Sequence, residues 1–324
     1  MTENGRPLLH REGFAALDGG GLDWDSLPLR LYAKGNRRFW NAADIDLSRD
    51  AEDWSRLDAP ARRAFTGLAA MFLAGEEAVT RDLQPFLAAM SAEGRFGDEM
   101  YLTQFCFEEA RHVEVFRRWL DAVGIREDLN GMIADNEGHR AIFSRALPEA
   151  LQRLHADPSP ANQVRASITY NHIVEGTLAL TGYHAWQLIC ENLGVFPGMK
   201  RIVELIGDDE RRHMAWGTYT CRRHVAADPD NWTVVETRMR ELLPSALRAI
   251  DHASRQYPPE LFGVGVRELM RFASGRARRR LQAIESARDE TRVDDRVAEE
   301  LEEAFARDER RAARVPTERV RAAA

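Results

Sequence analysis

Residues 166–190 carry one acidic side chain, Glu175, and no Lys or Arg. Read as part of a helix over 162–192, this stretch has no solvated face. A helix so apolar must be covered on most sides, which takes several other helices. A lone carboxylate inside it is costly to bury unless it is paired or bound to a cation. The stretch therefore calls for a helical bundle and for a partner to Glu175.

Two tetrapeptides offer that partner, Glu109-Ala-Arg-His112 and Glu210-Arg-Arg-His213. Positions three apart share a helix face, so each Glu-x-x-His pair can hold one metal ion from one side. One such tetrapeptide alone reads as an ordinary solvated face. Here both lie among large apolar residues. A helix over 98–123 aligns Leu102, Phe105, Glu109, His112, Phe116 and Leu120, and one over 199–226 aligns Ile202, Ile206, Glu210, His213 and Gly217. Asp58-Ala-Pro60 reads as the start of an earlier helix, with Pro in its first turn. That helix runs to about residue 90, with a kink at Pro85. Its stripe is Phe65, Leu68, Phe72, Val79, Leu83 and Phe86; Glu76 fills the gap, while Glu77 falls one residue off.

Four helices thus supply Glu76; Glu109 and His112; Glu175; and Glu210 and His213. Glu76 and Glu109 are 33 positions apart and Glu175 and Glu210 are 35 apart, which suggests two facing halves. Four carboxylates and two imidazoles are the donor set of a ferritin-like dimetal bundle. Oxygen ligands with one nitrogen per metal suit iron or manganese, and the lack of thiolate argues against structural zinc. Asp209 is a candidate acceptor for the outer nitrogen of a ligating His. Arg111 and Arg212 would offset buried negative charge. His139, His172, His184 and Cys106 read as core or packing residues.

Strand signals are almost absent, so the fold class is all-α: a ferritin-like four-helix bundle with peripheral helices in one domain, 1–324. Residues 1–55 read as an irregular arm punctuated by Gly19-Gly20-Gly21 and Pro28. Residues 56–226 are the dimetal core, with a mixed segment at 124–160. Residues 227–315 are peripheral amphipathic helices over 232–256, 260–286 and 291–313, and 316–324 are a tail. The run Arg276, Arg278, Arg279, Arg280 and the run Glu299, Glu300, Glu302, Glu303 read as solvated faces. A net charge of −7 gives no footing for nucleic acid. The three cysteines, Cys106, Cys190 and Cys221, form no Cys-x-x-Cys pair, which fits a reducing cytoplasm. Neither a signal peptide nor a membrane span is expected.

The order Glu, Glu-x-x-His, Glu, Glu-x-x-His resembles the small subunit of ribonucleotide reductase. So does the segment from Phe39 and Trp40 through Asp44 to Leu47, and Asp209 before Glu210. The resemblance spans about 25–225 and implies a hydrogen-bonded chain of Trp40, Asp209 and His112. Two features depart from most reductases. Phe116 stands where they carry a radical-bearing Tyr, as also in their manganese/iron subclass. No Tyr follows Tyr257, whereas reductase tails carry one.

Val79, three positions after Glu76, and Tyr170, five before Glu175, are similar to a subgroup, the ribonucleotide-reductase-small-subunit-like ligand-binding oxidases. That resemblance implies manganese at Glu76, Glu109 and His112, and iron at Glu175, Glu210 and His213. It implies O2 activation, an ether cross-link between Tyr170 and Val79, a long-chain fatty-acid-like ligand and a homodimer. Phe72, Phe105, Phe116, Leu178 and Trp186 are expected to wall the site against water. The alternative is a reductase small subunit without a tyrosyl radical. A di-iron centre is compatible with the same ligands, and no residue names the substrate or the electron donor.

Overall fold

The computed structural model describes residues 13–255 and 263–313, and among them there is no strand. Helix α1 is Leu27–Arg37 and α2 Ser48–Arg56. The core begins with α3 (Ala59–Asp82), α4 (Gln84–Ala92) and α5 (Phe96–Ala122). Next come α6 (Glu137–Ala141), a π-helical turn (Ile142–Ala146) and α7 (Leu147–Ala156). Helix α8 (Pro160–Ser167) passes into a π-helical stretch (Ile168–Ala179) and then α9 (Leu180–Leu193). The chain continues with α10 (Pro197–Ala227), α11 (Asn231–Arg255), α12 (Val266–Glu285) and α13 (Arg296–Ala313). No described helix is long and apolar enough to cross a membrane. The expected tail over 316–324 and Tyr257 lie outside the described residues.

Helices α3, α5 and α10 and the π-helical stretch surround the acids and histidines. Helix α3 packs on α5, and α10 packs on both α5 and the stretch. Two apolar clusters close the bundle on either side. One is built around Phe105, Tyr170 and Trp216. The other is built around Phe65, Phe116, Trp119 and Trp186. Helices α11 and α12 cover the stretch from outside, and α13 lies along α10.

Two expectations are corrected. The arm is not irregular throughout, since α1 and α2 lie within it. Pro28 sits in the first turn of α1, where its missing N–H costs nothing, so it starts a helix. The charged runs are not wholly solvated either. Arg276, Arg280 and Glu302 are buried, and Arg280 and Glu302 bond each other at 2.6 and 2.8 Å.

The arm also positions α10. Asp50 of α2, fully buried, accepts from the N–H groups of Gly198 and Met199, each at 2.8 Å. Asp53 accepts from Phe196 N–H at 3.0 Å. These carboxylates satisfy donors that the first turn of α10 leaves unpaired, and their charge complements the helix dipole. Helix α10 carries Glu210 and His213 into the core.

Candidate metal centre

Helix α3 brings Glu76 inward, while Glu77 pairs outward with Arg81 at 2.6 Å. Helix α5 contributes Glu109 and His112, and α10 contributes Glu210 and His213. All are buried. Glu175 comes from the π-helical stretch. The six side chains form two overlapping groups, Glu76, Glu109, His112 and Glu210, and Glu109, Glu175, Glu210 and His213. Within each group the candidate ligand atoms lie within 4.8 Å of one another. Glu109 and Glu210 belong to both groups, as bridging carboxylates would.

The π-helical stretch was not legible in the 3.6-residue pattern, and it changes the face on which Tyr170 lies. In an α-helix, residues five apart point roughly 140° from each other. With i→i+5 bonding, the fifth residue lies about one turn further on. Tyr170 and Glu175 therefore both face α5. The Tyr170 hydroxyl donates to Glu109 Oε1 at 2.9 Å.

Each imidazole is held from outside. His112 Nε2 lies 3.2 Å from Asp209 Oδ2, and His213 Nε2 lies 3.0 Å from Glu108 Oε2. A carboxylate only accepts, so each Nε2 donates and each Nδ1 turns toward the acids. The arrangement is reciprocal. The acid preceding Glu210 holds the histidine of α5, and the acid preceding Glu109 holds the histidine of α10. Asp209 also accepts from Trp40 Nε1 at 2.9 Å, Arg111 at 2.8 Å and Arg212 at 2.6 Å.

Five buried atoms remain without a hydrogen-bond partner at this point: Glu109 Oε2, His112 Nδ1, Glu175 Oε1, Glu210 Oε2 and His213 Nδ1. Buried polar atoms are normally satisfied, and each orphan costs about 1–3 kcal/mol. His112 Nδ1 stands 3.3 Å from Glu76 Oε2, and His213 Nδ1 stands 3.3 Å from Glu109 Oε1. Once their protons are displaced, these converging oxygen and nitrogen atoms fit divalent cations. Protonation tells the same story. Burial pushes Glu76 up to about 7. Burial and the charge of Glu210 push Glu175 well above the carboxylate range. Burial also acts on Glu109, but the two imidazoles overcome it and hold that acid low.

The chain matches the ribonucleotide reductase small chain family over residues 27–288. It is 35% identical to an R2-like ligand-binding oxidase from Sulfolobus acidocaldarius, covering 86% of this chain and 97% of that one, with a TM-score of 0.79. It is 36% identical to an R2-like ligand-binding oxidase variant with an aerobically reconstituted Mn/Fe cofactor, with 85% and 99% covered and a TM-score of 0.80. Another variant, with an Fe/Fe cofactor, matches at 36% identity over 85% and 99%, with a TM-score of 0.80. The chain belongs to the R2-like ligand-binding oxidases.

A cavity of about 150 Å³ adjoins the acids of this oxidase. Glu76, Glu109, Glu175 and Glu210 line one part of it, with Val79 beside them. Phe72, Phe143, Leu178 and Ile250 make apolar wall. Of the other residues expected around the site, Phe116 stacks on Phe72 at 5.5 Å and Phe105 on His213 at 3.5 Å. Trp186 packs on Phe65 in the apolar cluster beyond. His139 lines the cavity, while His172 and His184 are in neither metal-binding group. Burial pushes the Cys106 thiol up to about 11, so it stays protonated.

Two functional contacts escaped the sequence reading, and a third was legible in it. Glu108 was legible as the counterpart of Asp209, since each acid precedes the Glu of its motif. Tyr183, whose hydroxyl donates to Glu76, gave no such signal. Neither did Asn171, which donates to Glu175 Oε2 at 2.8 Å.

Proposed function

We propose that this chain is a dioxygen-dependent oxidase holding manganese at Glu76, Glu109 and His112 and iron at Glu175, Glu210 and His213. The observation that carries this reading is the set of five orphaned, converging atoms. Relatives that hold Mn/Fe or Fe/Fe support the choice of metals. When bound, the metal pair supplies dioxygen activation and two-electron oxidising power.

The chain supplies the rest. Asp209 and Glu108 fix the imidazole tautomers. The bond from Tyr170 to Glu109 gives the phenolic proton an acceptor at Glu109 Oε1. Burial raises Tyr170 well above the ordinary phenol range, so it holds its proton until oxidation. In the proposed cross-link the Tyr170 oxygen bonds to the Val79 β-carbon. The Tyr O–H and Val C–H bonds break, and two electrons and two protons pass to dioxygen. Apolar walls keep water away from the acids.

The acids at one part of the cavity and its apolar lining support a long-chain fatty-acid-like ligand, its carboxylate toward the metals and its chain along Phe143, Leu178 and Ile250. Action as a homodimer, which rests on the family resemblance, and in the cytoplasm, which rests on the cysteine usage, completes the reading. The bonded chain Trp40–Asp209–His112 favours a second reading, a reductase small subunit. Deoxyribonucleotide formation on adding a large subunit would establish that alternative.

The test is peptide mass spectrometry after anaerobic loading with Mn(II) and Fe(II), then air. The expected outcome is loss of two hydrogens across joined peptides holding Val79 and Tyr170. Unchanged masses at full metal occupancy would overturn the cross-link.

A further inference from the structure

The π-helical stretch has a weak point at its end. Leu180 N–H closes its last five-residue bond, onto Glu175 O. From Leu180 the spacing reverts to four. A register change of this kind passes over one carbonyl, here that of Gly176. Arg280 Nη1 donates to Gly176 O at 3.2 Å. The guanidinium is itself fixed by two bonds to Glu302, at 2.6 and 2.8 Å, and lies 5.1 Å from the Phe305 ring centroid. Arg280 and Glu302 are both almost fully buried.

Gly176 permits this approach. A Cβ there would lie 3.0 Å from Arg280 Nη1, 3.0 Å from Asn171 O and 2.9 Å from Met214 Cε. The position immediately follows Glu175, whose carboxylate is one of the converging acids. A charged donor held by its own counter-ion thus meets the one carbonyl the register change leaves over.

We propose that Arg280 and Glu302 form a clamp that locks the π-helical register. The clamp thereby positions Glu175, and with it the second metal, beside Tyr170. Helix α13 becomes part of the metal centre although it supplies no ligand. Arg280 and Glu302 are positioning residues, and their metal-binding consequence rests on the dimetal reading above.

The test replaces the pair together, R280M/E302L, because a buried ion pair exchanged for apolar residues of similar size leaves folding largely intact. The first readout is amide hydrogen exchange of the full-length metal-free chain. Residues 172–181 are expected to exchange about tenfold faster in the variant, with α3 and α5 unchanged. The second readout is metal content after titration with Fe(II). The variant is expected to keep one tightly bound ion and bind the other at least about tenfold more weakly. Single R280K, which keeps a donor and the charge, is expected to recover part of both. Wild-type protection at 172–181 in the double variant would overturn the clamp, whatever the metal content. Faster exchange there with unchanged affinity for two ions would confine the clamp to backbone register and overturn its role in metal positioning. A wild type that binds fewer than two ions would instead sink the dimetal reading, and the exchange result would still decide the clamp.

Discussion

Replacing Asp209 by Asn keeps the shape of the side chain and removes its charge. Asp209 serves two buried arginines, Trp40 and His112 at once. After the substitution, the only acid left near Arg111 is Glu108, at 3.7 Å, beside its bond to Trp40 O at 3.1 Å, and Arg212 keeps Glu108 at 2.6 Å. Breaking a buried pair from one side costs about 3–5 kcal/mol. Asp208, one residue earlier, provides the control. Its side chain is 42% exposed and pairs with Arg211 at 2.5 Å and Arg38 at 3.5 Å. Surface pairs are worth about 0–1 kcal/mol. At neutral pH, D209N is expected to lower the melting temperature by on the order of 10 °C and D208N by about 2 °C or less. Scanning calorimetry on the metal-free proteins measures both. The folded-state pKa of Asp209 is lowered, because His112 and the arginines outweigh its burial. Its stabilisation is therefore present above the usual carboxylate range and lost in acid. The gap between wild type and D209N should close as pH falls below about 4. Equal, small shifts for D208N and D209N would refute the assignment of Asp209 as the hub that holds His112.

Two further outcomes follow from the same geometry. In G217A the new Cβ would lie 2.3 Å from Asn171 Cγ, so Asn171 must leave Glu175. Overpacking of this kind costs about 1–3 kcal/mol, and denaturant unfolding together with weaker uptake of one of two ions checks it. Metal uptake should also release protons and strengthen with pH. Burial holds Glu76 protonated up to about 7, and a cation must displace that proton and those on the raised imidazoles. Titration with Mn(II) in weak buffer is expected to show tighter binding at about pH 8 than at about pH 6, with acidification on mixing.

Much of the centre could be read from spacing. The two Glu-x-x-His steps and Glu76 are set by helical period and by the apolar residues around them. Glu175 is exposed by contrast with its uncharged surroundings. What escaped depends on backbone register or on distant partners. A 3.6-residue period cannot reveal that 168–179 winds more loosely, so the shared face of Tyr170 and Glu175 was invisible. The Arg280–Glu302 pair joins two helices whose charge runs look solvated, and only packing shows Arg276, Arg280 and Glu302 to be inward. Pro28 was grouped with the glycines before it as a break, although Ser26-Leu27-Pro28 carries the same pattern of N-cap and first-turn Pro as Asp58-Ala59-Pro60.

The proposed chemistry requires two metal ions among these six side chains. Anomalous diffraction from crystals of the Mn/Fe-loaded protein, collected at the manganese and iron absorption edges, tests it most directly. Two peaks are expected, manganese among Glu76, Glu109 and His112 and iron among Glu175, Glu210 and His213, with Glu109 and Glu210 between them. A single peak, or none, with His112 Nδ1 and His213 Nδ1 bonded only to the acids, would contradict it.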